Sequence, residues 1–467
     1  MANEQQSIHG VWASRWVFIL AATGSAVGLG NIWKFPYMAG VYGGGAFVAV
    51  YLVCIALIGA PIMLAETVLG RRGRQSPVNS LRSLAQASNA SPRWAWAAMI
   101  GMIAALMILS FYSVVAGWAL DYILGMGRGA FAGISGQGAA ARFSSLTDDP
   151  WRLAGWHSLF MLITALIIAR GVVAGLEKAL RIMMPMLFVL LVVLFGYSLS
   201  TGHFMEGVRF LFHFDLAEVP AGILAAMGHA FFTLSVGVGS IMVFGAYMPR
   251  HASIGRTVIT VALLDTLVAL TAGMALFPVV FAAGLEPSAG PGLMFVTLPI
   301  AFGNIALGEV FGLLFFLLVA IAAWSSAISM LEPAVAYGVE RSGWSRPSVT
   351  AVIAALCWLV GMGTVLSFNV LADARFMVTD DTGWHWFAWT DSGGRTFFES
   401  IDYLTSRILL PLGGLSFCLF GGWVLSRDAL REELSLKHPW LFPMILCLLR
   451  YVAPAGVIVV FVTELFK

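Results

Sequence analysis

The stretch Gly24-Ser25-Ala26-Val27-Gly28-Leu29-Gly30-Asn31 interrupts an apolar segment that is long enough to cross a bilayer. Three glycines in seven positions disfavour a continuous helix, because glycine loses more backbone entropy on folding than other residues do. A break within the membrane exposes backbone amides and carbonyls where no water competes for them, and this is tolerated only where those groups line a protein cavity. Residues 24–31 are therefore the first candidate for a binding site.

Composition predicts a polytopic membrane protein. Hydrophobic residues make up 60% of the 467 residues and charged residues 11%, whereas soluble domains carry about 25% charged residues. Apolar runs of about 20 residues, the length that crosses a bilayer as a helix, occur eleven times. The predicted spans are 12–39, 44–70, 95–124, 154–171, 177–200, 222–248, 256–283, 309–340, 348–368, 399–425 and 441–465. We predict one all-α transmembrane domain over residues 1–467.

Arginine and lysine in the connections predict the orientation, because positively charged loops tend to remain cytoplasmic. They recur in every second connection, which predicts a cytoplasmic N-terminus and, with an odd number of spans, a C-terminus outside. The marking residues are Arg71, Arg72, Arg74, Arg82, Arg93, Lys178, Arg181, Arg250, Arg256, Arg341, Arg346, Arg427, Arg431 and Lys437. A net charge of +2 and sparse basic residues give no indication of nucleic acid. The four cysteines lie in predicted spans without paired spacing, so we expect no disulfide.

A second glycine-interrupted segment lies in the sixth span, where residues 231–240 read Phe-Phe-Thr-Leu-Ser-Val-Gly-Val-Gly-Ser. Interrupted helices at corresponding positions of two halves indicate an inverted-repeat transporter that binds substrate and ions at the membrane midplane. The alternative is that Gly24 and Gly28, or Gly237 and Gly239, only allow helices to pack closely. Because both segments are interrupted, we favour two broken spans.

Several runs occur in the same order as in one transporter family. They are Trp12-Ala13-Ser14-Arg15, residues 24–31 with Phe35-Pro36-Tyr37, Gly43-Gly44-Gly45-Ala46-Phe47, Phe231-Phe232-Thr233-Leu234-Ser235 and Ser325-Ser326. The chain resembles the neurotransmitter:sodium symporters, and within them the bacterial amino-acid branch. The resemblance implies a 5+5 inverted repeat, with residues 12–200 and 222–425 as its halves and residues 441–465 as a final helix.

The same resemblance implies a binding site for an amino acid. A broken helix offers the amino end of one half to an anion and the carbonyl end of the other to a cation. The implied carboxylate ligands are the amides around Leu29 and Gly30 and the Tyr112 hydroxyl, and the implied amine ligands are Ala26, Phe232, Thr233 and Ser235. Amine-carrying relatives place an aspartate where this chain has Gly28, which favours a substrate with its own carboxylate.

The substrate side chain is expected to meet apolar residues of several spans. The resemblance implies Leu29, Ile108, Val115, Phe232, Val238 and Met330, with Ser326 at the edge. Val238 stands where phenylalanine occurs in the family, so the smaller side chain favours a bulky hydrophobic or aromatic substrate. Flexible Met330 offers a way to refill that space, and for Ile108, Val115 and Met330 a place in the ordinary apolar core is the alternative.

Two sodium sites are implied. The first combines the Ala26 carbonyl with Asn31, Thr233, Asp265 and the substrate carboxylate. The second combines carbonyls and hydroxyls of Gly24, Val27, Ala322, Ser325 and Ser326, all neutral oxygens that suit a hard monovalent cation. The alternative for Ser325 and Ser326 is a hydrogen bond back to a carbonyl one turn earlier.

Asp265 is the most informative single residue, because an acid in an apolar span is costly and usually functional. Chloride-dependent relatives lack an acid here, so the resemblance implies that Asp265, close to Tyr51, His229 and Thr233, substitutes for chloride. An aspartate in a structural hydrogen-bond network is the alternative. His229 replaces a glutamine, and either a pH-sensitive or a purely structural histidine fits that position.

Gate residues follow from the resemblance. Lys34, in place of an arginine, and Asp402 match an extracellular ion pair, with Tyr112 and Phe232 as an aromatic lid beneath it. Lysine lacks the bidentate geometry of arginine. His9 replaces the arginine of a cytoplasmic pair with Glu340, and the alternative is that both residues are solvated and unpaired. Gly175 and Pro185 in the fifth span match a device that unwinds to admit water. A proline merely tolerated near a helix start is the alternative. Glu66 is expected to brace the broken first span, and Glu332 to be a buried hydrogen-bond partner.

We therefore expect a Na⁺-coupled symporter in a bacterial inner membrane, which imports a neutral amino acid by alternating access without chloride. Its expected partners are the amino acid, two Na⁺ ions and the lipid bilayer, with no obligate protein partner. The alternative is a Na⁺-dependent amino-acid sensor or an ion channel on the same scaffold. An enzyme is not expected, because no HExxH motif and no nucleophile with a base is present, and no phosphate-binding loop indicates an ATP-driven pump.

Overall fold

The computed structural model describes residues 10–215, 217, 219–286, 292–380, 383–390, 393–436 and 438–465. Within them, nine helices are long and apolar enough to cross a membrane. In chain order these are span 2 (Gly45–Gly73), span 3 (Pro92–Gly127), span 4 (Pro150–Ala169), span 5 (Val172–Ser200), span 7 (Ile254–Ala282), span 8 (Gly308–Ser342), span 9 (Arg346–Leu366), span 10 (Phe397–Val424) and span 11 (Leu441–Thr463). Spans 1 and 6 are each made of two shorter helices, which agrees with the eleven predicted spans.

Span 1 is broken where the glycine-rich stretch predicts it. Its two helices, Arg15–Ala26 and Gly30–Val41, meet at an angle of 59°. The first helix ends because Val27 adopts an extended conformation with φ −73° and ψ 104°. The break leaves the carbonyl end of one helix and the amino end of the other at the same level of the bundle.

Span 6 is broken between the helices Val219–Thr233 and Ser240–Ala246. Gly237 and Gly239 adopt φ of +89° and +79°, a left-handed conformation that side chains with a Cβ rarely adopt. The loop between the helices also passes close to span 10, since a Cβ at Gly413 would lie 2.0 Å from the Gly237 carbonyl oxygen. Glycine at these positions therefore permits both the break and the close packing around it.

The two broken spans lie beside the most buried helices of the molecule. In spans 3 and 8, 72% of the apolar segment is buried inside the protein, whereas in span 11 only 28% is. Spans 3 and 8 pack extensively against each other, and span 8 also packs against the first half of span 1. The peripheral helices leave apolar side chains on the outer surface, as a lipid-facing surface requires.

Several elements lie in the connections between spans. Short helices occupy Pro77–Ala87, Gly136–Thr147, Phe204–Phe212, Leu298–Asn304 and Arg427–Leu434. A hairpin pairs the antiparallel strands Ala374–Asp380 and Gly383–Trp389 between spans 9 and 10. The long apolar runs of the sequence predict none of these elements.

At the far end of span 2 the Arg72 guanidinium lies 2.9 Å from the Glu432 carboxylate and lowers the pKa of that carboxyl.

Candidate functional site

A small central cavity lies where the two breaks face spans 3, 8 and 10. Its volume is about 40 Å³. The lining residues are Ser25, Ala26, Gly28, Leu29, Gly30, Asn31, Ile108, Tyr112, Phe232, Thr233, Ser235, Val238, Ser326, Met330 and Leu410. The cavity therefore brings together four kinds of group: backbone atoms at the two helix breaks, the Tyr112 phenol, several hydroxyls and apolar side chains.

Eleven of the twelve residues expected to contact substrate line this cavity, and Val115 does not. Val115 is buried in span 3, seven residues after Ile108 and therefore about 10 Å further along the helix axis. Val115 does not line the cavity as this structure has it, and its contact with substrate stays a prediction. Four further residues line the cavity, namely Ser25, Gly28, Asn31 and Leu410. The first three belong to the glycine-rich stretch, and Asn31 is one of the expected sodium ligands.

The polar side of the cavity is formed at the break in span 1. The Leu29 amide lies 3.5 Å from the Tyr112 hydroxyl oxygen, and the second half of span 1 begins at Gly30. Gly28 has no room for a side chain, because a Cβ there would lie 2.8 Å from Ser326 Oγ and 3.1 Å from the Tyr112 hydroxyl. The helix amino end and the phenol are thus arranged to meet a negative group.

A buried polar cluster joins spans 1, 2, 6 and 7 beside the cavity. Asn31 Nδ2 donates to Asp265 Oδ1 at 2.7 Å and to Thr233 Oγ1 at 3.0 Å. The Thr233 hydroxyl lies 3.0 Å from both Asp265 carboxylate oxygens, and the Tyr51 hydroxyl donates to Oδ2 at 3.1 Å. Because Asp265 has no cationic side chain among these partners, the cluster can accept a cation as its charge partner.

His229 packs beside this cluster without joining it. Its ring centroid lies 5.6 Å from that of Tyr51 and 5.7 Å from that of Phe35. Neither ring nitrogen of this buried side chain has a hydrogen-bond partner among the described residues. The packing supports a structural role for the ring and provides no direct link to the Asp265 carboxylate.

A second set of oxygens surrounds the carbonyl end of the first half of span 1. The Ser326 hydroxyl lies 3.4 Å from the carbonyl oxygens of both Gly24 and Val27, and the Ser325 hydroxyl donates to the Ala322 carbonyl at 2.9 Å. Ser325 therefore makes the backbone hydrogen bond that is the alternative expectation, while Ser326 reaches across to span 1. As ligands, these neutral oxygens suit a monovalent cation such as Na⁺.

The hydroxyls expected to meet a substrate amine already have partners. Thr233 donates to Asp265, and Ser235 Oγ donates to the Ser25 carbonyl at 2.6 Å. Ser235 Oγ keeps its lone pairs to accept from an ammonium group, and Thr233 Oγ1, which already accepts from Asn31 Nδ2, keeps one. Because both hydroxyl hydrogens are already donated, the two oxygens are available as hydrogen-bond acceptors for a substrate amine.

A larger cavity of about 220 Å³ lies beyond the central one and shares Phe232 and Leu410 with it. Lys34 and Asp402, the predicted outer gate, both line this second cavity. Lys34 Nζ lies 5.1 Å from the centroid of the Phe232 ring, and the Asp402 carboxylate accepts from Ser406 Oγ at 2.9 Å. The Phe232 ring therefore separates the two cavities.

At the other end of the bundle, Glu340 accepts a hydrogen bond of 2.6 Å from the Ser76 amide and one of 2.7 Å from Asn79 Nδ2. Its predicted partner His9 lies outside the described residues. Glu332 is a buried hydrogen-bond partner, as expected, because it accepts from the Tyr247 hydroxyl at 2.7 Å and from Arg346.

Glu66 does not brace span 1 in the way that the resemblance implies. Its Oε1 accepts from the Gly237 amide at 2.6 Å, so this glutamate from span 2 stabilises the break in span 6. The reason is local, since the loop after Thr233 leaves the amide of Gly237 without a helical partner.

Gly175 and Pro185 lie in span 5, which is helical throughout. Pro185 stands inside its helix rather than at its start, against the alternative that it is merely tolerated near a helix start. A Cβ at Gly175 would lie 2.1 Å from the Ile167 carbonyl oxygen. An interior proline lacks the amide that a helix hydrogen bond requires, so it weakens the helix at that point.

The chain matches the model of the sodium:neurotransmitter symporter family over residues 9–127 and 141–372. It is 36% identical to the uncharacterized sodium-dependent transporter YhdH of Bacillus subtilis, with 98% of both chains covered. It is 28% identical to an uncharacterized sodium-dependent transporter of Haemophilus influenzae, covering 97% of this chain and 98% of the other. Among solved structures, the crystal structure of MhsT in complex with L-phenylalanine superimposes with a TM-score of 0.86 at 41% identity, covering 97% of this chain and 99% of MhsT.

Proposed function

Because the chain belongs to the sodium:neurotransmitter symporter family, we propose that it is a Na⁺-coupled symporter for a neutral, bulky hydrophobic or aromatic amino acid. The observation that carries this proposal is the central cavity between two broken spans, with Asp265 and neutral oxygens beside it. The amino end at Gly30 and the Tyr112 hydroxyl would hold the substrate carboxylate, and the carbonyls around Ala26 and Phe232 would hold its amine.

Coupling follows from electrostatics in a site shielded from water. The substrate carboxylate and Asp265 would bring two negative charges to the same region, and like charges repel strongly in a medium of low polarity. A Na⁺ ion held by Asn31, Thr233 and the Ala26 carbonyl offsets that repulsion. A second ion among the oxygens of Gly24, Val27, Ala322, Ser325 and Ser326 would fix the break in span 1.

The size of the substrate side chain is argued from the apolar wall. Val238 is a small side chain that lines the cavity together with Ile108 and Met330, and MhsT, which is similar over nearly its whole length, was solved in complex with L-phenylalanine. A large side chain requires Phe232 or Met330 to rotate outward, since the cavity measures about 40 Å³. Met330 can do so at little cost because methionine is unbranched and flexible.

Chloride independence follows from the fixed charge of Asp265. A carboxylate that accepts hydrogen bonds from Asn31, Thr233 and Tyr51 already supplies the negative charge that a bound anion would bring. Transport would proceed by alternating access in a bacterial inner membrane, with the N-terminus in the cytoplasm and the C-terminus outside. The cavity lined by Lys34 and Asp402 would then be the outer vestibule.

The experiment that tests this assignment is equilibrium binding to the purified protein. Thermal unfolding is followed with a panel of amino acids in NaCl, sodium gluconate, KCl and choline chloride. We expect phenylalanine, tryptophan and leucine to raise the unfolding temperature in both sodium salts, and glycine and glutamate to leave it unchanged. Equal stabilisation in KCl would contradict sodium coupling, and stabilisation only in NaCl would contradict chloride independence.

A further inference from the structure

A groove of about 540 Å³ lies on the outside of the bundle, remote from the central cavity. It is formed where the end of span 3, the helix Gly136–Thr147 and the start of span 4 meet. Three arginines line it, namely Arg128, Arg142 and Arg152, together with one acid, Asp121. None of these residues takes part in the site described above.

Among the described residues, Arg152 is the one of the three arginines that makes an ion pair. Arg152 donates from Nε and from a terminal nitrogen to the two Asp121 carboxylate oxygens at 2.8 Å each, and Trp156 Nε1 donates to the same carboxylate at 2.9 Å. The Glu309 carboxylate lies 3.5 Å from the Cβ position of Gly129 and does not line the groove. Within the described part of the chain, the ion pair of Asp121 is the one with Arg152.

The other two guanidinium groups make no ion pair within 4 Å among the described residues. Arg142 lies 4.7 Å from the centroid of the Phe131 ring, and its buried Nε has no hydrogen-bond partner among the described residues. Arg128 is exposed at the end of span 3, and within the described part of the chain it makes no ion pair. Three arginines and one aspartate give the residues that line the groove a net positive charge and several guanidinium donors, which are the features of an anion site.

The wall below these arginines is apolar and open to the outside of the bundle. Leu124 and Leu159, which line the groove, are 45% and 41% exposed. Trp151, in the first turn of span 4, is 86% exposed, and tryptophan is enriched where a membrane meets water. The arginines at the ends of spans 3 and 4 would lie at the level of the lipid headgroups, and the leucines further along these helices would lie at the level of the acyl chains.

We propose that this groove binds the headgroup of an anionic phospholipid, with Arg128 and Arg142 on the phosphate and the acyl chains along Leu124 and Leu159. The apolar wall distinguishes a lipid from a free anion, because a small anion gains nothing from exposed leucines. Basic pockets between membrane helices bind lipid headgroups by the same combination of charge and burial. The inference is independent of the transported substrate and of the orientation of the chain.

Native mass spectrometry of the delipidated protein in detergent tests the proposal. The probes are dimyristoyl phosphatidylglycerol, dimyristoyl phosphatidylcholine and sn-glycerol 3-phosphate. Arg128→Gln alone and Arg128→Gln with Arg142→Gln are compared with Arg209→Gln, which removes one exposed charge outside the groove. Replacing Arg142 could disturb folding, because its side chain packs on Phe131. The single variant Arg128→Gln avoids this problem, because the Arg128 side chain is exposed.

We expect the wild type and Arg209→Gln to retain one phosphatidylglycerol in preference to phosphatidylcholine. The double variant should need a roughly tenfold higher phosphatidylglycerol concentration for the same occupancy, and Arg128→Gln roughly threefold. Equal retention of phosphatidylglycerol by wild type and by the Arg128 variant would overturn the proposal. Equal retention of phosphatidylcholine, or equally tight binding of glycerol 3-phosphate, would overturn the assignment to an anionic lipid.

Discussion

Asp265 is the acid of the buried polar cluster beside the central cavity. Its carboxylate is fully buried and receives hydrogen bonds from Asn31, Thr233 and Tyr51. Burying a charge is costly unless hydrogen bonds and a partner of opposite charge compensate. The hydrogen bonds are present in the protein, so the proposed Na⁺ supplies the missing positive charge.

Asp265→Ser removes that fixed negative charge and leaves room for an anion. We expect uptake to fall at least about tenfold in sodium gluconate and to recover in NaCl, because chloride can then occupy the place of the carboxylate. Uptake by the wild type in the same two salts is the control. A variant that is equally inactive in both salts would indicate that Asp265 acts on Na⁺ directly rather than in place of chloride.

Gly28 tests the geometry at the break in span 1. A Cβ there would lie 2.8 Å from Ser326 Oγ and 3.1 Å from the Tyr112 hydroxyl, so Gly28→Ala must displace one of these groups. We expect the apparent affinity for substrate to fall at least about tenfold in a binding assay. Gly155→Ala in span 4 is the matched control, since nothing lies within 4 Å of its Cβ position. Similar losses in both variants would argue against a role for Gly28.

Cavity residues within a sequence motif are predictable directly, and others, such as Ile108 and Met330, are predictable only through the family resemblance. The glycine stretch and the sixth-span motif predict Leu29, Gly30, Phe232 and Thr233, and all four line the cavity. Leu410 lies in no such motif. It belongs to an apolar run in span 10, and only tertiary packing brings it to the cavity. Val115 shares a helical face with Ile108 and lies about 10 Å further along the axis, so its contact with substrate stays a prediction.

At the scale of elements, the broken sixth span depends on an acid from a neighbouring helix. Glu66 Oε1 accepts from the Gly237 amide at 2.6 Å, and Gly237 adopts a positive φ. An amide left without an acceptor in a dry interior costs about 1–3 kcal/mol. The break is therefore held by a specific acceptor as well as by glycine.

Glu66→Leu removes this acceptor, whereas Glu66→Gln retains an amide oxygen that can replace it. We expect Glu66→Leu to lose about 1–3 kcal/mol of stability and to bind substrate weakly, and Glu66→Gln to remain close to the wild type. Thermal unfolding in detergent with and without substrate measures both effects. If the two variants behave alike, the hydrogen bond to Gly237 is not what holds the loop.

The breaks in spans 1 and 6 are predictable because glycine in an apolar run has a direct conformational consequence. The hairpin of Ala374–Asp380 and Gly383–Trp389 is not predictable in this way. Its strands lie in a connection between spans, and the long apolar runs predict only the spans themselves. The resemblance assigns the brace of Glu66 to the wrong break for a related reason. Sequence shows that an acid lies in an apolar span, but only packing shows which exposed amide it reaches.

At the scale of the whole molecule, the charged connections predict the orientation of the bundle. Membrane-impermeant maleimide tests this with Asp148→Cys, between spans 3 and 4, and Gln86→Cys, between spans 2 and 3, in a Cys447→Ser background. Both positions are exposed, and Cys54, Cys357 and Cys418 are buried. We expect intact cells to be labelled at position 148, and at position 86 only after lysis. The reverse pattern would place the N-terminus outside.

The proposed function requires that the Na⁺ gradient drives substrate across the membrane through the cavity between the two broken spans. Uptake of labelled phenylalanine into proteoliposomes measures this directly, with an inward Na⁺ gradient compared with equal Na⁺ on both sides. We expect accumulation above the external concentration that requires the gradient and collapses when gramicidin dissipates it. Binding without accumulation, or Na⁺ flux that does not depend on phenylalanine, would contradict symport and favour a sensor or a channel.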